Sequence, residues 1–123
     1  KELPDDIKIQ LETNGSIFEY LPEMDLRCPD GIIMYDSAKM PFPFLLRRWE
    51  AGDFFFPLGL RGKKKVSDFF TDLKYSIPQK FASVMVVKPA DGQGRIRAVL
   101  GKRIDDSLKV DRYTKTIVKI TIL

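Results

Sequence analysis

The chain has 123 residues, 44% hydrophobic and 31% charged, a composition typical of one folded domain. It contains no histidine and a single cysteine, Cys28, which excludes Ser-His-Asp and Cys-His catalysis, histidine metal sites, intrachain disulfides and cysteine-cluster zinc sites. The lone thiol fits a cytoplasmic compartment, and the sequence shows neither a signal peptide nor a run suited to a membrane helix. Because it starts at Lys1 without a methionine, we expect a piece of a longer protein.

The first third of the chain predicts short strands. Residues 6–12 alternate polar and apolar side chains, which is the period of a half-buried strand. Asn14-Gly15 is a strong hairpin signal, and residues 16–21 supply a returning strand. Two further strands are predicted at 32–35 and 42–49, the second with prolines that favour a sheet edge.

The central third predicts a glycine-containing loop followed by two short helices. The loop covers residues 57–62, and residues 66–74 predict a helix with Ser67 as its N-cap. A second helical turn is predicted near Pro78, because proline favours the first turn of a helix. Three apolar side chains at helical spacing are expected in the core: Phe69, Phe70 and Leu73.

The last third returns to strands, at 83–88, 95–100 and 116–122, the first two joined as a hairpin. The predicted fold class is α+β, a β-rich single domain of mostly antiparallel strands with one or two short central helices. Residues 1–123 form one domain in this interpretation, and residues 1–30 are its leading strands.

The charge is unevenly distributed along the chain. Residues 1–30 carry a net charge of −5 and residues 31–123 a net charge of +9, with the densest basic stretch at 47–65. A glycine loop, three lysines and a helix start there suggest an anion site, and several cations acting additively favour a nucleic-acid backbone. The candidate residues are Arg61, Lys63, Lys64, Lys65 and Ser67.

Three other patterns have a functional and a plain interpretation. The glycines of residues 59–63 are three apart and lack the following Ser or Thr of a nucleotide-triphosphate loop. Asp105 and Asp106 are adjacent, so on a strand they point to opposite faces, and we interpret them as balancing Lys102, Arg103 and Lys109 rather than as a catalytic or Mg²⁺ site. Residues 54–56 are three phenylalanines; they either stack on bases or serve the core, and at least one must point into the core.

One stretch is specific enough to indicate a family. Residues 47–74, RRWEAGDFFFPLGLRGKKKVSDFFTDLK, resemble the signature of the C-terminal domain of tRNA(Ile)-lysidine synthetase, roughly R-x-x-x-G-D-x-[FI]-x-P-L-G-[ML]-x-G-x-K-K-[LV]-S-D-[FY]. Residues 101–110, GKRIDDSLKV, are similar to the family's G-x-R-I-D-x-R-[FY]-x-V, and residues 114–120 resemble its closing segment. The resemblance covers about residues 31–123.

The resemblance implies the non-catalytic tail of an ATP-dependent ligase that attaches lysine to the wobble cytidine of a tRNA(Ile) with a CAU anticodon. The family's SGGxDS loop for ATP does not occur in this sequence, so ATP with Mg is expected only in the full-length enzyme and no cofactor in this domain. The implied partners are the acceptor stem of the tRNA and the N-terminal catalytic domain of the same chain. The implied fold is shared with a domain of the phenylalanyl-tRNA synthetase β chain.

Acceptor stems are A-form duplexes, which proteins recognise mostly by shape, phosphates and 2′-hydroxyls. The loop cations suit that task, and the second-rank candidates are Arg47, Arg48, Lys102 and Arg103. The sequence departs from the family at Phe54 and Phe56, where an arginine is common, and at Ser107, where an arginine is frequent. We expect neighbouring cations to replace the lost charge.

A second hypothesis is a protein-interaction domain whose basic face docks on an acidic partner or on the catalytic domain. The acidic start would also allow two copies to pair as a homodimer. Salt-sensitive binding to tRNA separates this hypothesis from the first.

Overall fold

The computed structural model describes residues 8–13 and 28–123 of the chain. The hairpin turn predicted at Asn14-Gly15 and the strand predicted at 16–21 lie outside the described residues. The described elements, in chain order, are β1 (Ile9–Thr13), β2 (Ile32–Asp36), β3 (Leu45–Arg48), β4 (Phe54–Phe55), β5 (Lys64–Lys65), α1 (Val66–Asp72), α2 (Ile77–Ala82), β6 (Val84–Val87), β7 (Ala98–Val99), β8 (Arg103–Ile104) and β9 (Ile117–Ile122). Two 3₁₀ turns, Ser37–Lys39 and Asp106–Leu108, join them.

The strands of the described residues form three sheets, and each pair among them is antiparallel. The last strand, β9, is the centre of the first sheet, in the order β1-β9-β2. The second sheet has the order β3-β6-β7-β8, which confirms the hairpin predicted between 83–88 and 95–100. The third is the small hairpin β4-β5. The predicted α+β class with mostly antiparallel strands and two short helices is confirmed.

Two clusters of buried apolar side chains fill the interior. The larger includes Tyr35 and Ile120 and lies between the first two sheets' strands. The smaller gathers Phe55, Phe69 and Phe70 around Met85, and the ring centroids of Phe55 and Phe69 lie 5.3 Å apart, edge to face. The smaller cluster matters for the site because it fixes the hairpin β4-β5 and helix α1 to the second sheet.

The helices differ from the prediction at their ends. Helix α1 begins at Val66 with Lys65 as its N-cap and no side-chain cap hydrogen bond, so the prediction of Ser67 as the N-cap is wrong. Ser67 lies inside the first turn, because β5 continues directly into the helix. Leu73 is 38% exposed at the C-cap, so its predicted place in the core is also wrong, whereas Phe69 and Phe70 are buried as predicted.

Helix α2 begins at Ile77, one residue before Pro78, and Ser76 caps it in a capping box with Gln79. Its apolar residues Ile77 and Phe81 are 67% and 63% exposed. At seven and six residues, neither α-helix in the described part of the chain is suited to cross a membrane.

Candidate nucleic-acid interface

The hairpin β4-β5 sorts its side chains onto two faces. Phe54 pairs with Lys65, and Phe55 pairs with Lys64. Because successive strand residues point to opposite sides and paired residues to the same side, Phe54 and Lys65 share one face, and Phe55 and Lys64 share the other. Phe55 is fully buried, so its face is the inner one.

This alternation separates the three consecutive lysines. The ammonium of Lys64, on the inner face, lies 2.6 Å from a carboxylate oxygen of Asp72 at the end of α1. Lys63 and Lys65 are exposed, and in residues 8–13 and 28–123 neither has a carboxylate within 4.0 Å. Arg61 in the loop is likewise exposed. The lysine run therefore offers two outward charges and one that is already neutralised.

The loop between β4 and β5 is anchored to the segment 103–106. The amide of Leu58 donates to the carbonyl of Ile104 at 3.0 Å, and Arg103 Nη1 donates to the carbonyl of Leu58 at 3.1 Å. The amide of Phe56 donates to Asp105 Oδ1 at 2.7 Å. The two stretches that carry the family resemblance, 47–74 and 101–110, thus meet in space at this loop.

Two phenylalanines lie on the outer face among cations. The rings of Phe54 and Phe56 stand edge to face, with centroids 6.4 Å apart. Lys63 Nζ is 4.2 Å from the Phe54 centroid, and Arg95 Cζ is 4.9 Å from that of Phe56 and 5.8 Å from that of Phe54. We call Phe54, Phe56, Lys63 and Arg95 the aromatic-cationic patch. Lys63 and Arg95 place positive charge beside Phe54 and Phe56, the two positions at which the resemblance predicts arginine.

Asp105 fixes this patch from within. It is 1% exposed and accepts from Arg95 at 2.7 and 3.1 Å, and also from the hydroxyl of Ser107 at 2.6 Å. Burial raises the pKa of Asp105, but hydrogen bonds from Arg95, Ser107 and the Phe56 amide outweigh it and hold the pKa below its ordinary value.

Arg97 stands beside this network. It donates to Ser107 at 2.7 Å and to Asp91 at 2.8 and 3.0 Å. Ser107 stands where the resemblance predicts an arginine, and Arg97, which directly precedes β7, brings a guanidinium to that place. The hydrogen bond from Arg97 lowers the pKa of Asp91 despite its partial burial.

The interpretation of Asp105 and Asp106 needs correction. Asp105 balances Arg95, with Arg97 at 3.8 Å, rather than Lys102 or Arg103. Asp106 lies 3.9 Å from Lys109, as predicted. Arg95 is not among the site residues predicted from the sequence, because it lies outside the dense basic stretch at 47–65. Its alternation with apolar Ile96 in a predicted strand was the available signal.

The two arginines of β3 face other partners. Arg47 makes two 2.8 Å hydrogen bonds to the buried carboxylate of Asp53, and only 11% of its side chain is exposed. This pairing raises the pKa of Arg47. Arg48 donates to the carbonyl of Ala82 at the end of α2. The structure therefore gives both arginines roles in holding the fold.

Lys102 lies in a different place from the loop cations. Its ammonium is 2.8 Å from Asp30 and 5.6 Å from the centroid of Tyr75, at a cleft of about 460 Å³ that also includes Gln79 and Gly101. The hydrogen bond to Asp30 raises the pKa of Lys102. Of the predicted site residues, the structure brings Arg61, Lys63, Lys65 and Arg103 to the hairpin loop. It pairs Lys64 with Asp72 and sets Lys102 apart.

Residues 8–13 and 28–123 contain no group of three or more His, Cys, Asp or Glu side chains placed to hold a metal ion. The arrangement of the outer face, with exposed cations and half-exposed rings on a rigid hairpin, suits the binding of a polyanion.

The geometry defines a small antiparallel α+β domain with a cationic hairpin on its surface. No family model matches the chain. The solved structure of a TILS C-terminal domain, TILS being the abbreviation for tRNA(Ile)-lysidine synthase, has this fold, with a TM-score of 0.71 and 21% sequence identity over 98% of this chain and 85% of that one.

Among curated proteins, the chain is similar to tRNA(Ile)-lysidine synthases from several bacteria. That of Bacteroides thetaiotaomicron is 34% identical over 81% of this chain and 22% of its own length. That of Parabacteroides distasonis is 36% identical over 75% and 20%, and that of Clostridium tetani 32% over 94% and 23%. The chain thus resembles the C-terminal part of tRNA(Ile)-lysidine synthases in sequence and their C-terminal domain in fold. It spans about a fifth of the length of the relatives it matches.

Proposed function

We propose that this chain binds the acceptor stem of a tRNA as the C-terminal domain of a tRNA(Ile)-lysidine synthase. The full-length protein would be a cytoplasmic, ATP- and Mg-dependent ligase that attaches lysine to the wobble cytidine of a tRNA(Ile) with a CAU anticodon. Its catalytic domain would lie in the N-terminal part, outside this chain. The domain itself would contribute tRNA binding and no cofactor.

The observation that carries the proposal is the outward placement of Arg61, Lys63 and Lys65 on a hairpin whose inner face is locked into the core. A cation that binds a phosphate releases a condensed counterion, which favours binding. Exposed cations that are not already paired therefore contribute most to the affinity. A rigid scaffold suits an A-form duplex, because such a duplex is recognised by its shape and backbone. Similarity to synthases named for tRNA(Ile) supports the choice of tRNA as the polyanion.

Salt dependence is the first test. If the domain neutralises about four to six phosphates, the logarithm of its affinity for tRNA should fall against the logarithm of salt concentration with a slope of roughly −3 to −5. Filter binding or fluorescence anisotropy with a labelled tRNA at several KCl concentrations measures the slope. A slope near zero contradicts the proposal.

Charge reversal of the lysine run tests the location. Replacing Lys63, Lys64 and Lys65 together by glutamate should weaken tRNA binding strongly, because the change removes phosphate contacts and adds negative charge. Each lost phosphate contact should also reduce the salt slope by about one unit. Circular dichroism checks that the variant is folded. Unchanged affinity in a folded variant would remove this loop from the interface.

Single neutral substitutions supply a matched control within the same run. Lys65→Met should reduce the slope by about one unit. Lys64→Met should change it less, because the ammonium of Lys64 is already paired with Asp72 at 2.6 Å. Equal reductions of the salt slope in the two variants would mean that the Lys64–Asp72 ion pair does not prevent Lys64 from contacting a phosphate in the complex.

The second candidate function is docking on a protein, and exposed Ile77 and Phe81 on α2 favour it. It predicts no salt-sensitive binding of tRNA by the chain. A homodimer also stays a prediction, and sedimentation equilibrium of the purified chain measures it.

A further inference from the structure

We propose that the aromatic-cationic patch stacks on an unpaired nucleobase next to the bound duplex, namely one in the single-stranded 3′ extension of the acceptor stem. This inference rests on the proposed function and adds to it a second class of contact. Phosphate contacts alone do not explain why two phenylalanine rings occupy the cationic face of the hairpin.

The rings are accessible. Phe56 is 37% exposed and Phe54 is half-buried, although the intervening Phe55 is fully buried. Strand alternation accounts for the burial of Phe55, and it places Phe54 and Phe56 on the side of the outward lysines. An aromatic face is a sequence-tolerant partner for a nucleobase, since every base has a π-face.

The rings are also held in place before any ligand binds. The amide of Phe54 donates to the carbonyl of Gly94 at 2.8 Å, and its carbonyl accepts from the amide of Ile96 at 3.0 Å. A Cβ at Gly94 would lie 3.0 Å from the carbonyl oxygen of Gly52 and 3.7 Å from the Phe54 ring. The backbone at Gly94 therefore packs closely against the Phe54 ring and limits its movement.

Phe56 is fixed in the same way from the other side. Its amide donates to Asp105, and its carbonyl accepts from the amide of Asp106 at 2.7 Å. The guanidinium of Arg95, tied to Asp105, lies near both rings. Because its side chains are already held in place, the aromatic-cationic patch loses little conformational entropy when it binds a ligand.

Charge complementarity indicates the occupant. Lys63 contacts Phe54 through its ammonium and has no carboxylate within 4.0 Å in the described ranges. A nucleotide stacked on the rings would bring its phosphate toward Lys63 and toward Lys65, which lies on the same face. An apolar protein segment would leave these charges without counter-charges, so an unpaired nucleotide fits the patch better.

The experiment compares two acceptor-stem minihelix RNAs, one with a four-nucleotide 3′ extension and one blunt-ended. The intact chain should bind the extended RNA about 5- to 150-fold more tightly, the range expected for one stacked base. With 2-aminopurine in the extension, binding should change its fluorescence.

Phe56→Ala should abolish the preference for the extended RNA, so that the ratio of its affinities for the extended and the blunt RNA falls to about one. Phe56→Tyr should retain the preference, because it keeps an aromatic ring. Phe42→Ala is the matched control, since Phe42 is 55% exposed and packs on Phe44, outside the patch.

The affinities of the unmodified chain for the two RNAs already test the stacking proposal, so the test does not depend on whether a variant folds. Salt-sensitive binding with equal affinity for the two RNAs overturns the stacking proposal and leaves the proposed function standing. Equal losses for both RNAs in a folded Phe56→Ala variant also overturn it. No salt-sensitive binding of either RNA overturns both.

Discussion

The guanidinium of Arg95 donates two hydrogen bonds, of 2.7 and 3.1 Å, to the carboxylate of Asp105, directly behind the outer face of the hairpin β4-β5. The same carboxylate accepts from the amides of Phe56 and Ser107. A single buried charge therefore joins the loop after β4 to the segment after β8, and the binding surface depends on this internal pair.

Asp105→Asn should destabilise the chain by about 3 kcal/mol, because removal of one partner leaves the Arg95 charge uncompensated in a mostly buried place. Urea unfolding followed by the fluorescence of Trp49, the single tryptophan, measures the change. Asp106→Asn is the control and should stay within about 0.5 kcal/mol, because the Asp106 side chain is 54% exposed. Equal effects at the two positions would contradict the role given to Asp105.

Stability should fall in acid, and Asp91 and Asp105 should contribute to the fall. Both have a pKa below the ordinary 3.8 in the folded chain. A depressed folded pKa gives stability that is present above pH 4 and is lost as the pH falls through the folded value. Asp91→Asn should therefore be less stable at pH 7 and should decline less steeply below pH 4, as thermal melts from pH 7 to pH 2.5 would show. A parallel decline in both proteins would count against the Asp91–Arg97 pair.

Arg47→Met should reduce stability by about 3 kcal/mol and leave the tRNA affinity of the folded chain within twofold. Asp53 is 2% exposed and loses its guanidinium partner in this variant. Chemical unfolding gives the first quantity and anisotropy with labelled tRNA the second. A large loss of affinity without loss of stability would return Arg47 to the binding surface.

Gly101→Ala should destabilise the chain by about 1–3 kcal/mol, because Gly101 has a φ of +75° that favours glycine. A Cβ there would also lie 2.7 Å from Cδ1 of Ile122 and 3.1 Å from the Cα of Gly31. Gly92→Ala is the matched control, since its backbone φ is ordinary and its Cβ would meet nothing within 4 Å. Thermal unfolding of the two variants, side by side, tests whether the close approach at Gly101 limits stability.

The sequence alone predicted much of the local structure and the resemblance to a family. Short runs bounded by turn signals predicted six strands that overlap strands of the structure, and the spacing of Phe69 and Phe70 predicted the buried side of α1. Fixed gaps in residues 47–74 and 101–110 indicated the family. These features depend on neighbours in the chain, which a sequence displays directly.

The tertiary structure decided which charges are free to bind. In the sequence, Lys63, Lys64, Lys65 and Arg47 are equivalent positive charges. In the structure, Lys64 forms an ion pair with Asp72, and Arg47 forms one with Asp53. It also decided that the first strand pairs with the last and that Arg95 reaches Asp105. Whether a cation is available depends on the carboxylate that packing brings within hydrogen-bond distance, and that partner follows from the fold rather than from the residue's own neighbourhood in the chain.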